Sequence, residues 1–249
     1  MTLLQAILLG IVQGITEFLP ISSSGHLILG ETLLNLEVAQ LKTFDVVVHV
    51  GTLLAILTYF WKDVWKVKLW PWLILGTIPA VVVGLTLEDQ IDAIFRSALA
   101  VGIVMIIVGA IFMIPESWAR RTKDKKLQWW QVVLVGMAQA VAIIPGVSRS
   151  GSTIFTGTML GMRREEAARF SFLLGAVAIT GAGILTALDL NGATVEWGVL
   201  TAGFISSFIA GFLSVKWLMK YLKHHSLKVF GIYLMSLGAL TVVTQALLS

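Results

Sequence analysis

Long apolar segments recur along the whole sequence. A helix that crosses a bilayer needs about 20 mostly apolar residues, with a range of about 17–25. Segments of that length predict transmembrane helices at residues 44–60, 70–87, 97–114, 170–188, 197–215 and 229–247. These six segments predict an all-α polytopic membrane protein.

Two further apolar stretches, residues 1–34 and 130–160, are interrupted near their centres. The first is broken within residues 18–26 and the second within residues 144–152, where proline, glycine and serine collect. A break of this kind frees backbone N–H and C=O groups that lipid cannot satisfy, so it must be buried in protein or line an aqueous cavity. Each stretch is therefore either one broken spanning helix or a re-entrant hairpin of two half-helices.

The composition agrees with a membrane protein. Of the 249 residues, 57% are hydrophobic and 13% charged, with a mean hydropathy of +0.89, whereas soluble domains carry roughly 25% charged residues. The absence of cysteine excludes disulfides, thiolate metal sites and a cysteine nucleophile. No cleavable signal peptide is expected, because the first basic residue is Lys42.

Charge placement favours the hairpin alternative. If each interrupted stretch begins and ends on the same face of the membrane, the loops on one face are basic and those on the other face are mainly acidic. The basic face receives all but three of the 18 lysines and arginines: Lys62, Lys66, Lys68, Arg120, Arg121, Lys123, Lys125, Lys126, Arg163, Arg164, Arg169, Lys216, Lys220, Lys223 and Lys228. The opposite face receives Lys42 and Arg96 with the acidic residues Glu31, Glu37, Asp45, Glu88, Asp89, Asp92, Asp189 and Glu196.

This division predicts the orientation of the chain in the plasma membrane. By the positive-inside rule the basic loops face the cytoplasm and both termini lie on the outer face. Anionic lipid headgroups account for the basic residues, so membrane lipids are expected partners and nucleic acid is not.

The two interrupted stretches resemble each other and define an internal repeat. Gly10-x-x-Gln13 corresponds to Gly136-x-x-Gln139, and Pro20, Ser23, Ser24 and Gly25 correspond to Pro145, Ser148, Ser150 and Gly151 with one inserted residue. We predict a single integral membrane domain over residues 1–249, with repeat 1 at about 1–114 and repeat 2 at about 130–249. Each half is a hairpin plus three spans, so the repeat has inverted topology with the two breaks meeting near the midplane.

Three ionisable side chains lie at the two breaks: Glu17, His26 and Arg149. A charged group at the bilayer centre costs about 2.5–3.5 kcal/mol on insertion scales, so such groups are paired or line a cavity. Glu17 and Arg149 could form a structural ion pair that ties the hairpins together, or they could bind a ligand. His49 and Asp45, one turn apart in a predicted span, are interpreted as a structural pair.

Seven hydroxyl residues surround these charges: Ser22, Ser23, Ser24, Ser148, Ser150, Ser152 and Thr153. Serine is a preferred N-cap, so both clusters can begin a returning half-helix. Helix N-termini with serine and glycine also present backbone N–H groups and a positive dipole end, which suit phosphate. Arg149 would add a bidentate clamp. Two such cradles facing each other predict a site for a polyanion.

His26 shares the first break with Glu17 and Ser23, which suggests catalysis. His26 could activate the Ser23 hydroxyl or attack phosphorus itself. Glu17 could orient His26, act as a base, or hold a divalent cation that neutralises phosphate charge. Gln13, one turn before Glu17, is a further candidate for ligand contact.

Two motifs resemble those of a known family. Gln13-x-x-x-Glu17-Phe-Leu-Pro20-Ile-Ser-Ser23-Ser-Gly25-His26 and Pro145-Gly-Val-Ser148-Arg149-Ser-Gly151-Ser-Thr153 closely resemble the two signatures of the undecaprenyl-diphosphate phosphatase family, also known for bacitracin resistance. The resemblance covers essentially the whole chain. It implies hydrolysis of undecaprenyl diphosphate to the monophosphate and inorganic phosphate, which recycles the lipid carrier of cell-wall peptidoglycan synthesis.

The resemblance also implies roles for particular residues. It marks Glu17, Ser23, His26 and Arg149 as catalytic, with Ser148 in support, and implies a divalent cation, Mg²⁺ or Ca²⁺, at a site open to the outer face. Many members have glutamate where this chain has Gln13, so Glu17 must carry more of the metal binding. The expected substrate contacts are Gln13, Ser22, Ser24, Gly25, Ser148, Ser150, Gly151 and Thr153.

The favoured hypothesis is a polyprenyl-diphosphate phosphatase in which Ser23, assisted by His26, attacks the terminal phosphorus. Direct attack by His26 is the alternative mechanism. The main rival function is a transporter or lipid flippase, because inverted repeats with broken helices are a transporter architecture. A structural scaffold would give no reason for Glu17, His26 and Arg149, and a homodimer is compatible with the sequence.

Overall fold

The computed structural model describes residues 1–34, 36, 42–115, 128–189 and 196–248 of the chain. Part of the predicted charge pattern lies outside the described residues: Glu37, Arg120, Arg121, Lys123, Lys125, Lys126 and the side chains of Lys42 and Asp189. Throughout the described ranges the regular structure is helical, which confirms the predicted all-α class.

The helices follow the predicted apolar segments. In chain order they are α1 (Leu3–Phe18), α2 (Ser23–Leu33), α3 (Lys42–Tyr59), α4 (Trp61–Val64), α5 (Trp70–Phe95), α6 (Ala98–Phe112), α7 (Trp129–Val141), α8 (Arg149–Met159), α9 (Arg164–Asp189), α10 (Trp197–Tyr221) and α11 (Lys228–Leu248). A short 3₁₀ turn at Val67–Leu69 precedes α5.

The predicted spans correspond to α3, α5, α6, α9, α10 and α11. Four helical segments are long and apolar enough to cross a membrane: Val67–Phe95, Arg164–Ile184, Trp197–Tyr221 and Lys228–Leu247. The apolar helices Thr43–Tyr59 and Ala98–Phe112 are shorter. The 15 residues of α6 extend only about 22 Å at 1.5 Å per residue, against a hydrocarbon core about 30 Å thick. The protein is therefore a helical membrane protein with four clear candidate spans.

The first interrupted stretch folds as α1 and α2, whose outer ends are neighbours. Ala6 of α1 and Phe44 of α3 belong to one apolar cluster. Leu34 and Leu36, which follow α2, pack against the same cluster. The start of α1, the end of α2 and the start of α3 therefore lie at one end of the molecule.

The second interrupted stretch folds in the same way as α7 and α8. Gln131, near the start of α7, donates from Nε2 to the carbonyl oxygen of Leu160, just after α8, at 3.0 Å. Between the two helices Gly146 has φ +94°, a backbone conformation that glycine adopts without steric cost. The start of α7 and the end of α8 are therefore also neighbours.

The tips of both hairpins meet in the main apolar core. Phe18 from the first tip and Val147 from the second belong to the same buried cluster. Gly151 lies so close to the first tip that an added Cβ would be 3.0 Å from Pro20 Cβ. The core thus holds the two breaks against each other.

Glycine backbones make two similar helix crossings, α1 with α10 and α5 with α7. An added Cβ at Gly10 of α1 would lie 2.6 Å from the carbonyl oxygen of Gly203 in α10. Gly136 of α7 meets the carbonyl oxygen of Gly76 in α5 in the same manner. Small residues of this kind allow membrane helices to approach closely.

A third crossing joins α6 to α11 through two glycine pairs. An added Cβ at Gly102 would lie 3.0 Å from the carbonyl oxygen of Gly238, and one at Gly109 would lie 2.6 Å from that of Gly231. The earlier glycine of α6 meets the later glycine of α11. The two helices therefore run antiparallel.

Gly109→Ala is expected to destabilise the protein by about 1–3 kcal/mol, the usual range for an overpacked site. The new methyl group would overlap the Gly231 carbonyl and Met235, whose Cγ lies 2.7 Å from the added Cβ position. Gly181→Ala is the matched control, because nothing lies within 4 Å of its added Cβ and alanine favours a helix. Unfolding in detergent, followed by tryptophan fluorescence, checks the difference. Equal stability of the two variants would contradict the described α6–α11 crossing.

Candidate active site

Glu17, in the last turn of α1, is the centre of a buried polar cluster. Its side chain is only 3% exposed. Its Oε2 accepts a hydrogen bond from Gln13 Nε2 at 3.0 Å and another from Ser23 Oγ at 2.7 Å. Gln13 lies one turn earlier in α1 and Ser23 begins α2, so the break itself folds the serine hydroxyl back onto the carboxylate.

Arg149, the first residue of α8, reaches this cluster from the second hairpin. Its Nη2 forms an ion pair with Glu17 Oε1, and its Nη1 donates to the carbonyl oxygen of Gly175 in α9 at 2.9 Å. An added Cβ at Gly175 would lie 2.6 Å from Nη1, so a larger residue here would displace the guanidinium from its present position. The predicted meeting of Glu17 and Arg149 is therefore confirmed.

Two of the predicted hydroxyl residues are helix N-caps. Ser22 Oγ accepts from the N–H of Gly25 at 3.3 Å, and Ser148 Oγ accepts from the N–H of Gly151 at 3.1 Å. Ser22 adopts φ +71° and is the only non-glycine residue with positive φ in the part of the chain that the structure describes. Such strained backbone is typical of functional sites and costs about 1–3 kcal/mol.

Other hydroxyls connect the hairpins to their surroundings. Ser150 Oγ donates to the carbonyl oxygen of Leu19 at 3.3 Å, which links the two tips directly. Thr153 Oγ1 donates to the Arg149 carbonyl oxygen at 2.7 Å and also contacts Ser171 of α9. Ser24 is half-buried in the first turn of α2. The structure thus places the predicted substrate contacts other than Gln13 at or beside two helix N-termini.

The tips enclose a small cavity next to the ion pair. Glu17, Arg149, Ser150, Ser171 and Gly175 contribute to its lining. Both charged groups and two hydroxyls therefore face one space. An anionic group placed there would meet the guanidinium directly.

The polar contacts of His26 are with Ser22 and Tyr233. Its Nδ1 is 2.8 Å from the carbonyl oxygen of Ser22, and its Nε2 is 2.8 Å from the hydroxyl of Tyr233 in α11. The imidazole also stacks on the Tyr233 ring, with centroids 5.7 Å apart. Ser23 donates to Glu17 here, so assistance to Ser23 by His26 stays a prediction. Sequence separation of 207 residues concealed the Tyr233 contact.

His49 is the neighbour of Glu17 that sequence reasoning missed. Its Nδ1 lies 2.7 Å from the backbone carbonyl oxygen of Asp45, so the predicted His49–Asp45 contact exists but involves the main chain. Its Nε2 lies 3.8 Å from Glu17 Oε2. The sequence shows a histidine in an apolar span, but no spacing rule in the sequence connects α3 to the end of α1.

Glu17 supplies only one carboxylate, so a divalent cation bound to it would need further oxygen ligands that are not carboxylates. The described residues contain no group of three or more His, Cys, Asp or Glu side chains that could hold a metal ion. Gln13 Oε1 is buried and has no hydrogen-bond partner. Mg²⁺ is commonly held by one or two carboxylates together with phosphate oxygens, so Glu17, the Gln13 amide and a phosphate ligand form a suitable set.

The chain is similar to known proteins over nearly its whole length. Residues 6–240 match the sequence profile of the bacitracin resistance protein BacA family. An undecaprenyl-diphosphatase of Methanosphaera stadtmanae is 42% identical over 99% of this chain and 99% of its own length. Undecaprenyl-diphosphatases of Pelotomaculum thermopropionicum and Elusimicrobium minutum are 41% and 39% identical, each over 98% or more of both chains.

Arg149→Met is expected to destabilise the protein by about 3–5 kcal/mol, because it leaves the Glu17 carboxylate buried without its counter-charge. The double variant Glu17→Gln/Arg149→Met should recover part of that loss. Arg163→Met is the control, since Arg163 is 75% exposed and lies 3.8 Å from Glu165. Thermal unfolding in detergent measures all variants. Strict additivity of the two single changes would contradict a direct coupling between the hairpins.

Proposed function

The chain belongs to the family of the bacitracin resistance protein BacA, and from that membership and the site geometry we propose that it hydrolyses undecaprenyl diphosphate. The products are the monophosphate and inorganic phosphate. Its relatives at about 40% identity over nearly their whole length carry the name undecaprenyl-diphosphatase. In this role the enzyme recycles the lipid carrier of cell-wall synthesis, and the bacitracin resistance of the family is associated with the same activity.

The observation that carries the proposal is the arrangement of Ser23, Glu17 and Arg149. The Ser23 hydroxyl already donates to Glu17 Oε2 at 2.7 Å, which is the geometry of a nucleophile beside its general base. Arg149 forms an ion pair with the other carboxylate oxygen, Glu17 Oε1. Its planar guanidinium can donate two parallel hydrogen bonds to phosphate. Nucleophile, base and anion clamp thus come from both hairpins and converge at one point.

The chemistry then proceeds in two displacements. Ser23 Oγ attacks the terminal phosphorus while its proton passes to Glu17 Oε2, and the bond from phosphorus to the bridging oxygen breaks. The polyprenyl monophosphate leaves, with Arg149 compensating the charge on the phosphoryl oxygens. Water then attacks the phosphoserine, Ser23 Oγ departs with the proton that Glu17 held, and both protons of the water leave with inorganic phosphate as H₂PO₄⁻.

This arrangement favours Ser23 over His26 as the nucleophile. Both imidazole nitrogens of His26 are engaged, one with the Ser22 carbonyl and one with the Tyr233 hydroxyl. His26 therefore acts as a positioning residue that fixes the first turn of α2, on which Ser23 lies. Direct attack by His26 would first require the loss of the contact with Tyr233.

The phosphates bind between the N-termini of α2 and α8. Ser22 and Ser148 cap these helices, and Ser24, Gly25, Ser150, Gly151 and Thr153 form their first turns. The positive ends of both helices face the anion, as at other phosphate sites. The family resemblance implies a divalent cation, Mg²⁺ or Ca²⁺. Glu17 and the amide oxygen of Gln13 would hold this cation, which would neutralise diphosphate charge.

We further propose an inverted repeat with six spans and two re-entrant hairpins. The packing supports this, because exchange of the two halves maps the α1–α10 crossing at Gly10 and Gly203 onto the α7–α5 crossing at Gly136 and Gly76. The same exchange maps the α6–α11 crossing onto itself. The start of α1 shares an apolar cluster with the end of α2, and Gln131 near the start of α7 donates to the Leu160 carbonyl just after α8, which supports hairpins in both halves.

The proposed orientation places the basic end of the molecule in the cytoplasm and both termini outside. At that end Asp63 of α4 pairs with Lys66 at 2.6 Å and with Arg169 at the start of α9 at 3.5 Å. The segment between α3 and α5 and the start of α9 are therefore on the same side of the membrane. Their shared excess of lysine and arginine supports a cytoplasmic position.

Arg149→Ala and Glu17→Gln are each expected to lower phosphate release from undecaprenyl diphosphate by about 100-fold or more, since loss of one charge-stabilising group commonly costs 10²–10³ in kcat. Arg163→Ala removes a side chain that is 75% exposed and lies near Glu165, so it should keep wild-type turnover. The assay uses purified protein in detergent without a membrane gradient. A transporter would release no phosphate there, and near-normal turnover of either site variant would refute the assignment.

Rapid quenching of the enzyme during turnover is expected to trap an acid-stable phosphoserine at Ser23. The reason is the hydrogen bond from Ser23 to Glu17, which prepares this hydroxyl for attack. Ser23→Ala should abolish the adduct, and peptide mass spectrometry would locate it. An acid-labile adduct on His26 would establish the alternative nucleophile.

A further inference from the structure

His49 presents an unpaired acceptor to Glu17. Its Nδ1 lies 2.7 Å from the Asp45 carbonyl oxygen, and because a carbonyl only accepts, Nδ1 carries the proton of the neutral ring. Nε2 then carries a lone pair, and it lies 3.8 Å from Glu17 Oε2. Glu17 Oε2 also accepts from Ser23 Oγ, so a cation held between His49 Nε2 and Glu17 Oε2 would share this oxygen with the serine hydroxyl.

Gln13 supplies a third acceptor at the same place. Its side chain is fully buried, with 0% exposure, and Oε1 has no hydrogen-bond partner. Its Nε2 lies 3.0 Å from the same Glu17 Oε2, and half a turn about the last side-chain bond exchanges the amide nitrogen and oxygen. Gln13, Glu17 and His49 can thus direct three neutral or anionic ligand atoms to one point.

No lysine or arginine that could compete for this side of the carboxylate lies within the described residues 43–59, 170–184 and 197–215. Arg149 occupies the other oxygen, Glu17 Oε1. The helices α9 and α10 pack against α3, and neither residues 170–188 nor residues 197–215 contain an ionisable side chain. Asp45, on the same helix as His49, contacts it through the backbone oxygen.

We propose that His49 Nε2, Glu17 Oε2 and Gln13 Oε1 form a divalent-cation site that prefers a first-row transition ion, such as Mn²⁺, over Mg²⁺ and Ca²⁺. The proposal rests on the proposed function in one respect: Glu17 is taken to bind the cation used in that reaction. Metal-binding imidazoles usually donate their second ring N–H to a carbonyl or carboxylate, as His49 does to Asp45. An imidazole nitrogen suits transition ions, whereas Mg²⁺ and Ca²⁺ prefer oxygen ligands.

Binding of Mn²⁺ to the purified, chelator-treated full chain in detergent tests the site without turnover. Titration followed by electron paramagnetic resonance should show one bound ion, with affinity reduced about 10-fold or more in His49→Gln, the scale on which even outer-shell changes act. His225→Gln is the matched control, because His225 Nδ1 also bonds a carbonyl four residues earlier, that of Tyr221, at 3.1 Å on an exposed surface. Its affinity should equal that of the wild type.

Spin-echo modulation of bound Mn²⁺ in the wild-type chain provides a readout that needs no variant. Coordination by His49 predicts nitrogen modulation that changes when histidine is labelled with ¹⁵N. Bound Mn²⁺ without such modulation, or equal affinity in His49→Gln, would overturn the proposal. Displacement of Mn²⁺ by equimolar Ca²⁺ or Mg²⁺ would overturn the stated preference. Absence of phosphate release by the wild type would refute the proposed function and leave this site standing.

Discussion

The ion pair between Glu17 and Arg149 is the interaction on which the rest of the molecule depends. Each charge alone would be expensive at membrane depth, and breaking a buried pair by removing one partner is strongly destabilising. The pair also joins the end of α1 to the start of α8, two places where the helical backbone is interrupted. The apolar helices around it shield the free backbone groups that such interruptions expose.

A nearly symmetric frame surrounds chemistry that is not symmetric. The glycine contacts of α1 with α10 and of α7 with α5 are alike, and both hairpins begin their returning helix at a serine cap. The polar groups differ, however, because Arg149 follows the Ser148 cap where Ser23 follows the Ser22 cap. The residue that corresponds to Glu17 in the second half is the apolar Ile143, just after α7. One half thus supplies the acid and the other the base of the pair, and the frame brings them together.

Sequence reasoning reached the features that depend on local pattern. Apolar length predicted the helices, proline and serine marked the breaks, and the high cost of unpaired charge in lipid predicted that Glu17 would meet Arg149. It failed where the outcome depends on the rotation of one helix against another. The side on which His26 leaves α2, toward Tyr233, and the approach of His49 to Glu17 are set by packing between distant elements. Helix ends, such as the early end of α6, also depend on contacts that no periodicity contains.

The backbone of Ser22 shows a trade between stability and precision. With φ +71°, this residue gives up about 1–3 kcal/mol of folding free energy that a glycine would have kept. A glycine, however, has no hydroxyl to accept the hydrogen bond from the Gly25 N–H. The turn could then adopt several conformations. Serine at this point locks one geometry, so the direction in which the next side chain, Ser23, emerges is decided before any ligand arrives.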